Sequence, residues 1–351
     1  MKAEIWIKRF FLIILILIVT IASTVIIVDP YFHYHKPLKG MKYRLYEERY
    51  VNDGISRHYD FDMIITGTSM AQNFKPSEAE ELFGKRTVKE TFSGGGYKEI
   101  SDNLERALER NPKLDTVIWA IDYNGFIREK DWEGYSGIPT YLYDDNPFND
   151  TAYLFNKSIF YHGVLNNLAM TIRGEESTSM DDYSSWEATM TGLDGIYRRY
   201  SREEVIRRDE DILSDEERRI VEDTVRSNIE KLVNEHPDVT FYLFYTPYCI
   251  CYWDELHLAN SLNRQLEAEE IADSILTACD NVRLYSWFDR YDLINDLDQY
   301  ADKEHYIADI NSDMLIWMKE DNGRLTKDNY PSFIEAERDY YGRYDYESIY
   351  R

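Results

Sequence analysis

The segment Gly67-Thr68-Ser69-Met70 contains the first residue that could do chemistry, Ser69. It follows residues 62–67, DMIITG, a β-branched run that ends in glycine and predicts a buried strand. A serine on the turn after such a strand can point its hydroxyl into the crevice where doubly wound sheets bind ligands. The N-terminus of the following helix would then stabilise a developing oxyanion. A simple helix cap is the alternative interpretation of this serine.

Asp302 and His305 are the candidate partners of this serine. A serine nucleophile needs a base within hydrogen-bond reach, and the base needs an acceptor on its second ring nitrogen. The aspartate precedes the histidine by three residues in Asp302-Lys303-Glu304-His305, so a single turn can supply both groups. Among the seven histidines, only His305 has a carboxylate at this spacing and leads into a helix near the end of the chain. An exposed polar loop is the alternative.

Two further polar segments follow predicted strands. Ser93-Gly94-Gly95-Gly96 comes after the strand at 86–91, and its glycines would let backbone amides approach a ligand closely. The segment has neither a Walker pattern nor G-x-G-x-x-G, so a phosphate site is the remote alternative and a tight turn the plain one. Asp122 and Asn124 follow the strand at 116–122, where the Asn124 amide could join an oxyanion site.

Strands and helices alternate through the chain outside residues 1–60 and 124–205. This alternation predicts parallel βαβ units and therefore a three-layer α/β/α, flavodoxin-like sheet with helices on both faces. Residues 124–205, rich in Tyr, Trp, Asp and Gly, interrupt the pattern and are predicted to be an insertion that forms a lid or binding wall. The predicted strands are 62–67, 86–91, 116–122, 239–245 and 281–287, and the predicted helices are 75–83, 97–110, 214–235, 258–279 and 309–320.

An apolar segment near the N-terminus predicts one transmembrane helix. Residues 10–28 contain no charge, proline or glycine, and about 20 such residues cross a bilayer. A cleaved signal peptide is the alternative, although its apolar region is usually shorter. Lys2, Lys8 and Arg9 precede the segment, which favours a cytoplasmic N-terminus (1–9) and an extracytoplasmic catalytic domain in a single-pass membrane protein. A stalk (29–60), a main domain (61–325) and a tyrosine-rich tail (326–351) are predicted to follow.

The composition excludes several other classes of protein. With 44% apolar and 30% charged residues, the 351-residue chain is neither disordered nor wholly embedded in a membrane. A net charge of −25 repels phosphate backbones, so we expect no nucleic-acid partner. Cys249, Cys251 and Cys279 do not form a disulfide framework, and buried thiols are the simplest interpretation. Neither a metal nor another cofactor is predicted.

The order of these segments resembles that of the SGNH (GDSL-like) hydrolase superfamily, over about residues 60–320. Serine follows the first strand, glycines the second, and Asp/Asn the third, while Asp-x-x-His precedes the last helix. Together with the N-terminal anchor, the pattern looks most like a membrane-anchored bacterial envelope subgroup. That subgroup includes the proteins of teichoic-acid D-alanylation and of polysaccharide O-acetylation.

The resemblance implies roles for individual residues. Ser69 would be the nucleophile, and Asp302 and His305 its partners. Gly95 or Gly94, with Asn124 or Asp122, would form the oxyanion hole. Two departures stand out, because the usual Gly-Asp-Ser is here Gly67-Thr68-Ser69 and Asp122 stands where the family has asparagine. A carboxylate facing an oxyanion repels it unless it is protonated or turned away, so either Asn124 acts there or backbone amides act alone.

The resemblance also implies a function and partners. The protein would be a serine esterase or O-acyltransferase that acts on an envelope polysaccharide through an acylated Ser69. An acyl donor would supply the group, delivered by a membrane-bound O-acyltransferase. The alternative is a non-catalytic scaffold or glycan-binding partner with the same fold. Thr68 and Asp122 favour that alternative, whereas an intact set of Ser69, Asp302 and His305 favours an enzyme.

Overall fold

A six-stranded sheet lies at the centre of the computed structural model, which describes the backbone of residues 2–351 and the side chains of residues 3–351. The strand order is β2-β1-β3-β4-β5-β6. The first five strands are parallel, and β6 pairs antiparallel with β5. The strands are β1 Met63–Gly67, β2 Thr87–Thr91, β3 Thr116–Ile121, β4 Thr240–Tyr245, β5 Val282–Tyr285 and β6 Arg324–Leu325.

Helices connect these strands and continue beyond them. The α-helices are α1 Lys2–Val28, α2 Glu48–His58, α3 Pro76–Phe83, α4 Tyr97–Arg110, α5 Tyr123–Phe126, α6 Thr151–Leu154, α7 Asn166–Arg173, α8 Gly192–Ile196, α9 Asp215–Val225, α10 Lys231–Glu235, α11 Ile250–Leu258, α12 Leu262–Leu276, α13 Tyr291–Ile294, α14 Ala308–Lys319 and α15 Tyr330–Arg343. Two π-helical segments, Ile159–Leu165 and Arg226–Glu230, lead directly into α7 and α10.

The strand order is that of a flavodoxin-like doubly wound sheet with one antiparallel edge strand added. The β1–α3–β2 and β2–α4–β3 connections run in opposite directions along the sheet. Right-handed crossovers therefore place α3 and α4 on opposite faces. Helix α14 packs with α3, whereas α9 and α15 both pack with α12 in a second layer. The predicted mixed α/β class with a mostly parallel sheet is confirmed.

The edge strand β2 is buried although its sequence, TVKET, is polar. The Lys89 ammonium donates to the backbone carbonyls of Gln72 (2.5 Å) and Phe74 (3.0 Å). The Glu90 carboxylate accepts from the Asn103 side chain at 2.6 Å. Each buried charge thus has a hydrogen-bond partner, which is the condition for burying it.

The chain divides into two compact units. One, called here the anchor unit, comprises the residues up to Asp60 together with Gly137–Ser184. The other, the sheet unit, comprises Phe61–Ser136 and Ser185–Arg351. The predicted stalk at 29–60 belongs to the anchor unit and contains α2, and the predicted insertion at 124–205 is divided between the two units. The predicted tail contains α15, whose Tyr341 is fully buried.

Helix α1 is long and apolar enough to cross a membrane, either as an anchor or as a signal sequence. Its side chains are mostly exposed up to its last turn, where Val25 and Val28 are buried. Asp29 ends the helix and accepts the backbone amides of His33, Tyr34 and His35 and, at 2.8 Å, the Tyr153 hydroxyl. These bonds fix the end of α1 to the rest of the anchor unit.

The observed helices differ from the predicted ones after β4. The helix predicted at 258–279 corresponds to α12, Leu262–Leu276, whereas the preceding helix α11, Ile250–Leu258, is not predicted. Asn260 adopts a left-handed conformation (φ 53°) between the two helices and separates them. The short strand β6 and the helix α15 are not among the predicted elements.

Candidate active site

Ser69 lies on the turn that follows β1, at the carboxyl edge of the sheet. Gly67 ends the strand with φ +144°, and a Cβ there would lie 2.8 Å from the Cβ of Ala120. A glycine is therefore needed for the chain to leave the sheet at this point. Ser69 then begins a single 3₁₀ turn, Ser69–Ala71. The carbonyl of Met70 accepts from the Tyr306 hydroxyl (3.2 Å) and the Asn311 amide (3.0 Å), which holds the turn in place.

The structure brings Ser69, His305 and Asp302 together. The Ser69 Oγ lies 2.8 Å from the His305 Nε2. On the other side of the ring, the His305 Nδ1 lies 3.0 Å from both carboxylate oxygens of Asp302. The histidine can accept the serine proton at one nitrogen while the aspartate orients the other, which is the arrangement of a nucleophile, base and orienting acid.

The local fold of residues 300–306 explains why an Asp-x-x-His sequence can supply both groups. One oxygen of Asp302 accepts the backbone amides of Glu304 (2.9 Å) and His305 (2.8 Å), which curls the loop around the carboxylate. A bridge between Tyr300 and Tyr306 closes the loop at its base. The aspartate therefore fixes both the backbone and the ring of the histidine.

The pKa values of Asp302 and His305 are shifted in opposite directions. Burial raises the pKa of Asp302, but hydrogen bonds from His305 and the backbone more than offset it, so the pKa lies below its usual range. Burial lowers the pKa of His305, and the Asp302 carboxylate more than offsets that and leaves the pKa above its ordinary value. The charge on Asp302 thus favours the protonated form of the His305 ring.

Arg199 is a fourth member of this group that the sequence does not predict. Its guanidinium donates to Asp302 at 2.9 Å, opposite the histidine, while 70% of its side chain remains exposed. The positive charge of Arg199 opposes the rise in the pKa of His305. Trp186 is a fifth member, with its ring edge against the imidazole at a centroid distance of 5.5 Å. Both residues come from the predicted insertion.

Asp122 does not face the site as a free carboxylate. One oxygen accepts from the Thr68 hydroxyl at 2.5 Å, and the other accepts from the hydroxyls of Tyr248 (2.7 Å) and Thr246 (3.5 Å). Burial raises the pKa of Asp122, and these donors oppose the rise. Thr68 and Asp122, the two departures from the pattern that the sequence resembles, are therefore hydrogen-bond partners of each other beside Ser69.

Gly94 and Gly95, the candidate oxyanion donors of the glycine turn, differ in the hydrogen bonds of their backbone amides. The Gly95 amide donates to the Phe92 carbonyl at 2.7 Å and is therefore occupied. Gly94, with φ +64°, makes no backbone hydrogen bond through its amide within residues 2–351, and the Ser69 amide makes none either. Asn124 is exposed at the start of α5 and lines the same cavity as Ser69 and Gly94.

Two cavities meet at Ser69. A smaller one of about 170 Å³ has apolar walls that include Tyr97, Ile100 and Trp132. A larger one of about 640 Å³ has Trp186 and Arg199 among its lining residues. Ser69, Gly94 and Glu304 line both cavities. Ser69 is thus accessible from two directions, one narrow and apolar and the other wide and polar.

Neither the cysteines nor the potential metal ligands among residues 2–351 form an arrangement comparable to that of Ser69, His305 and Asp302. The three cysteines are free and buried. Within residues 2–351, no group of three or more His, Cys, Asp or Glu side chains is arranged to hold a metal ion.

Comparisons with known proteins give little additional information. No family model matches this chain, and no curated protein is similar to it in sequence. A solved structure described as that of "a putative platelet activating factor from Streptococcus pneumonia" is similar at 12% identity, with a TM-score of 0.38. The similarity covers 78% of this chain and 88% of that one. At a TM-score below 0.5, this similarity supports no conclusion about the chemistry of Ser69.

Proposed function

We propose that this protein is a serine-dependent acyl ester hydrolase or O-acyltransferase of the SGNH type that works through an acylated Ser69. The observation that carries the proposal is the distance of 2.8 Å between the Ser69 Oγ and the His305 Nε2, with Asp302 on the other ring nitrogen. A helix cap needs no such base, so the three side chains together favour catalysis.

The proposed reaction begins when the Ser69 Oγ attacks the carbonyl carbon of an acyl ester. His305 takes the serine proton, and Asp302 stabilises the resulting imidazolium. The amides of Ser69 and Gly94 donate to the tetrahedral oxyanion, with the Asn124 side chain as a third donor if it turns inward. Collapse expels the alcohol, which takes the proton from His305 and leaves an acyl ester on Ser69. A second alcohol or water then reverses these steps.

The two cavities suit two different parts of the reaction, the acyl chain and the acceptor. The cavity of about 170 Å³ is large enough for a short acyl chain, and its apolar walls suit one. The cavity of about 640 Å³ suits a larger acceptor, and Trp186 on its wall offers a face for stacking on a sugar ring. Transfer rather than hydrolysis requires that water be kept from the acylated serine while the acceptor binds.

An envelope glycan as the acceptor is also part of the proposal, on the strength of the resemblance in motif order and of helix α1. If α1 is an uncleaved anchor with a cytoplasmic N-terminus, the sheet unit works outside the cytoplasmic membrane, where such glycans are found. A membrane-bound O-acyltransferase would then supply the acyl group from within the bilayer.

The first test uses the full chain in detergent micelles, as wild type and as Ser69→Ala. Each is treated with p-nitrophenyl acetate and with a fluorophosphonate that reacts covalently with activated serines. We expect labelling and ester turnover in the wild type and neither in the variant. Ser274→Ala, which removes an exposed serine of α12, is the matched control and retains both. A folded wild type that neither reacts nor turns over would instead favour a non-catalytic scaffold.

A further inference from the structure

The helix at residues 159–173 of the anchor unit is apolar on two sides. It consists of the π-helical segment Ile159–Leu165 and α7, which follow each other without a break. Ile159, Val164 and Met170 are buried and form its inner side. A surface helix that packs on one side alone would have polar residues on the other.

The outer side of this helix instead exposes large apolar residues. Tyr161, Leu165 and Ile172 are 56%, 40% and 86% exposed. Spacings of four and seven residues place them on one side of a helix. Phe155, just before the helix, is also 47% exposed. We call Phe155, Tyr161, Leu165 and Ile172 the apolar stripe. Single exposed apolar residues are common, but an aligned set marks an interaction surface.

The stripe belongs to a helix that lies against the end of α1. The π-helical segment and α6 both pack against α1. A Cβ at Gly163 would lie 2.8 Å from the Pro30 side chain, so the helix approaches the chain two residues after α1 ends. Val25 and Val28 in the last turn of α1 are buried there, while most of α1 before them is exposed. If α1 crosses a bilayer, this helix therefore lies where α1 leaves it.

The charges around this position suit a lipid headgroup region. Lys36 and Lys39 are exposed shortly after α1, and the exposed Lys157 precedes the stripe's helix, whereas Arg173 at its other end is paired with Glu175. Exposed cations beside Tyr and Phe are typical of segments that lie in a membrane interface. The apolar side chains on the inner side of the helix are buried within the protein. The apolar side chains on its outer side, together with the nearby lysines, are of the kind that binds at a membrane interface.

We propose that the apolar stripe lies in the interface of the bilayer that α1 crosses, so that the anchor unit contacts lipid through a second surface besides α1. The helix would lie along the membrane plane, with its apolar residues at the boundary between headgroups and acyl chains. This proposal depends on α1 remaining attached as an anchor, and it does not depend on the chemistry of Ser69.

The test compares two isoleucines of equal exposure in the full chain. Ile172 is 86% exposed and belongs to the stripe, whereas Ile206 is 85% exposed and belongs to the sheet unit. Each is changed to cysteine and labelled with an environment-sensitive fluorophore, since the native cysteines are buried. The proteins are reconstituted in phosphatidylcholine–phosphatidylglycerol vesicles that contain lipids with a nitroxide near the headgroup or deep in the acyl chain.

We expect the label at 172 to be quenched at least twofold more strongly than the label at 206, and most by the shallow nitroxide. Equal quenching at the two positions, or failure of the chain to float with vesicles, would overturn the proposal. A label at 172 that is shielded in native membranes but open to water in pure lipid would also overturn it, and would identify a protein as the occupant.

Discussion

Two groups of buried acids in the sheet unit have opposite surroundings. At the candidate active site, Asp302 receives hydrogen bonds from His305, from Arg199 and from two backbone amides, and its pKa is lowered. Beneath the helix layer, Glu269 and Asp273 of α12 lie beside Glu337 of α15, and all three are fully buried.

The second group has almost no donors. Glu269 accepts from the Tyr123 hydroxyl at 2.7 Å, and Asp273 accepts from the Tyr245 hydroxyl at 2.6 Å. Neither oxygen of Glu337 meets a donor among the described residues. Burial raises the pKa of Glu269 to about 7 and those of Asp273 and Glu337 well above their usual values. The pKa of a buried acid is thus lowered where donors surround the carboxylate and raised where they do not.

Replacing Asp302 should have the largest effect. Asp302→Asn keeps the shape but removes the charge that orients His305 and stabilises its imidazolium. We expect kcat/KM for a small activated ester to fall by about 10⁴, as in other serine enzymes with this arrangement. Asp309→Asn, which changes an exposed acid at the start of α14, should leave it unchanged. Retention of more than a tenth of the activity in Asp302→Asn would show that the aspartate does not support the base.

The raised pKa values of Glu269, Asp273 and Glu337 predict that the free energy of unfolding depends on pH. Because the folded pKa of Glu269, about 7, is above its ordinary value of 4.5, its contribution is fully present below 4.5 and is lost as the pH rises through 7. In Glu337→Gln the amide removes one acid and can donate to Glu269. We therefore expect the variant to lose less stability than the wild type between pH 5 and pH 8.

Between pH 5 and pH 8, we expect the free energy of unfolding of the wild type to fall further than that of Glu337→Gln by on the order of 2 kcal/mol. Each unit by which folding raises a pKa corresponds to about 1.4 kcal/mol. Unfolding of the full chain by denaturant, followed at both pH values, measures this difference. Glu270→Gln, an exposed neighbour on α12, is the matched control and should follow the wild type. If Glu337→Gln lost as much stability as the wild type over this range, the acids would not be protonated at pH 5.

Asp122 is intermediate between the two groups, because it is half-buried and has three hydroxyl donors. Thr68→Val removes the closest donor and keeps the size of the side chain, so the carboxylate loses a hydrogen bond directly beneath the nucleophile. We expect kcat to fall by roughly 10- to 100-fold, since a hydrogen bond to a charged group contributes about 1.5–3 kcal/mol. Thr68→Ser keeps the hydroxyl and should keep most of the activity. Equal losses in both variants would point to packing instead.

These contrasts show which parts of the site can be predicted from sequence. Asp302 and His305 are three residues apart, and Ser69 directly follows a strand, so local spacing was enough to select them; their catalytic role stays a prediction. The partners of Asp122 could not be selected in this way. Tyr248 follows a different strand, more than 120 residues further along the chain. Only the sheet order, β1-β3-β4, brings the ends of these strands together.

The fold was predictable for a similar reason. Apolar runs such as residues 116–121 mark buried parallel strands, and the observed strand begins and ends within one residue of the predicted one. Arg199 and Trp186 come from a segment without regular periodicity, so nothing in their spacing placed them near His305. Their positions follow from tertiary packing, such as the hydrogen bond from the Trp186 amide to the Asn73 side chain.

Replacing Arg199 should have the smallest effect, and it tests how the charges around His305 set the pKa of its ring. Its guanidinium is 70% exposed, so solvent screens much of its influence on His305. Arg199→Gln removes a positive charge and should raise the pKa of the histidine. Because the base must be neutral, the acidic limb of the pH profile of kcat/KM would move to higher pH, while the plateau stays unchanged. Arg199→Lys should restore the limb, and 0.5 M salt should reduce the shift. A changed plateau without a moved limb would assign Arg199 to substrate binding instead.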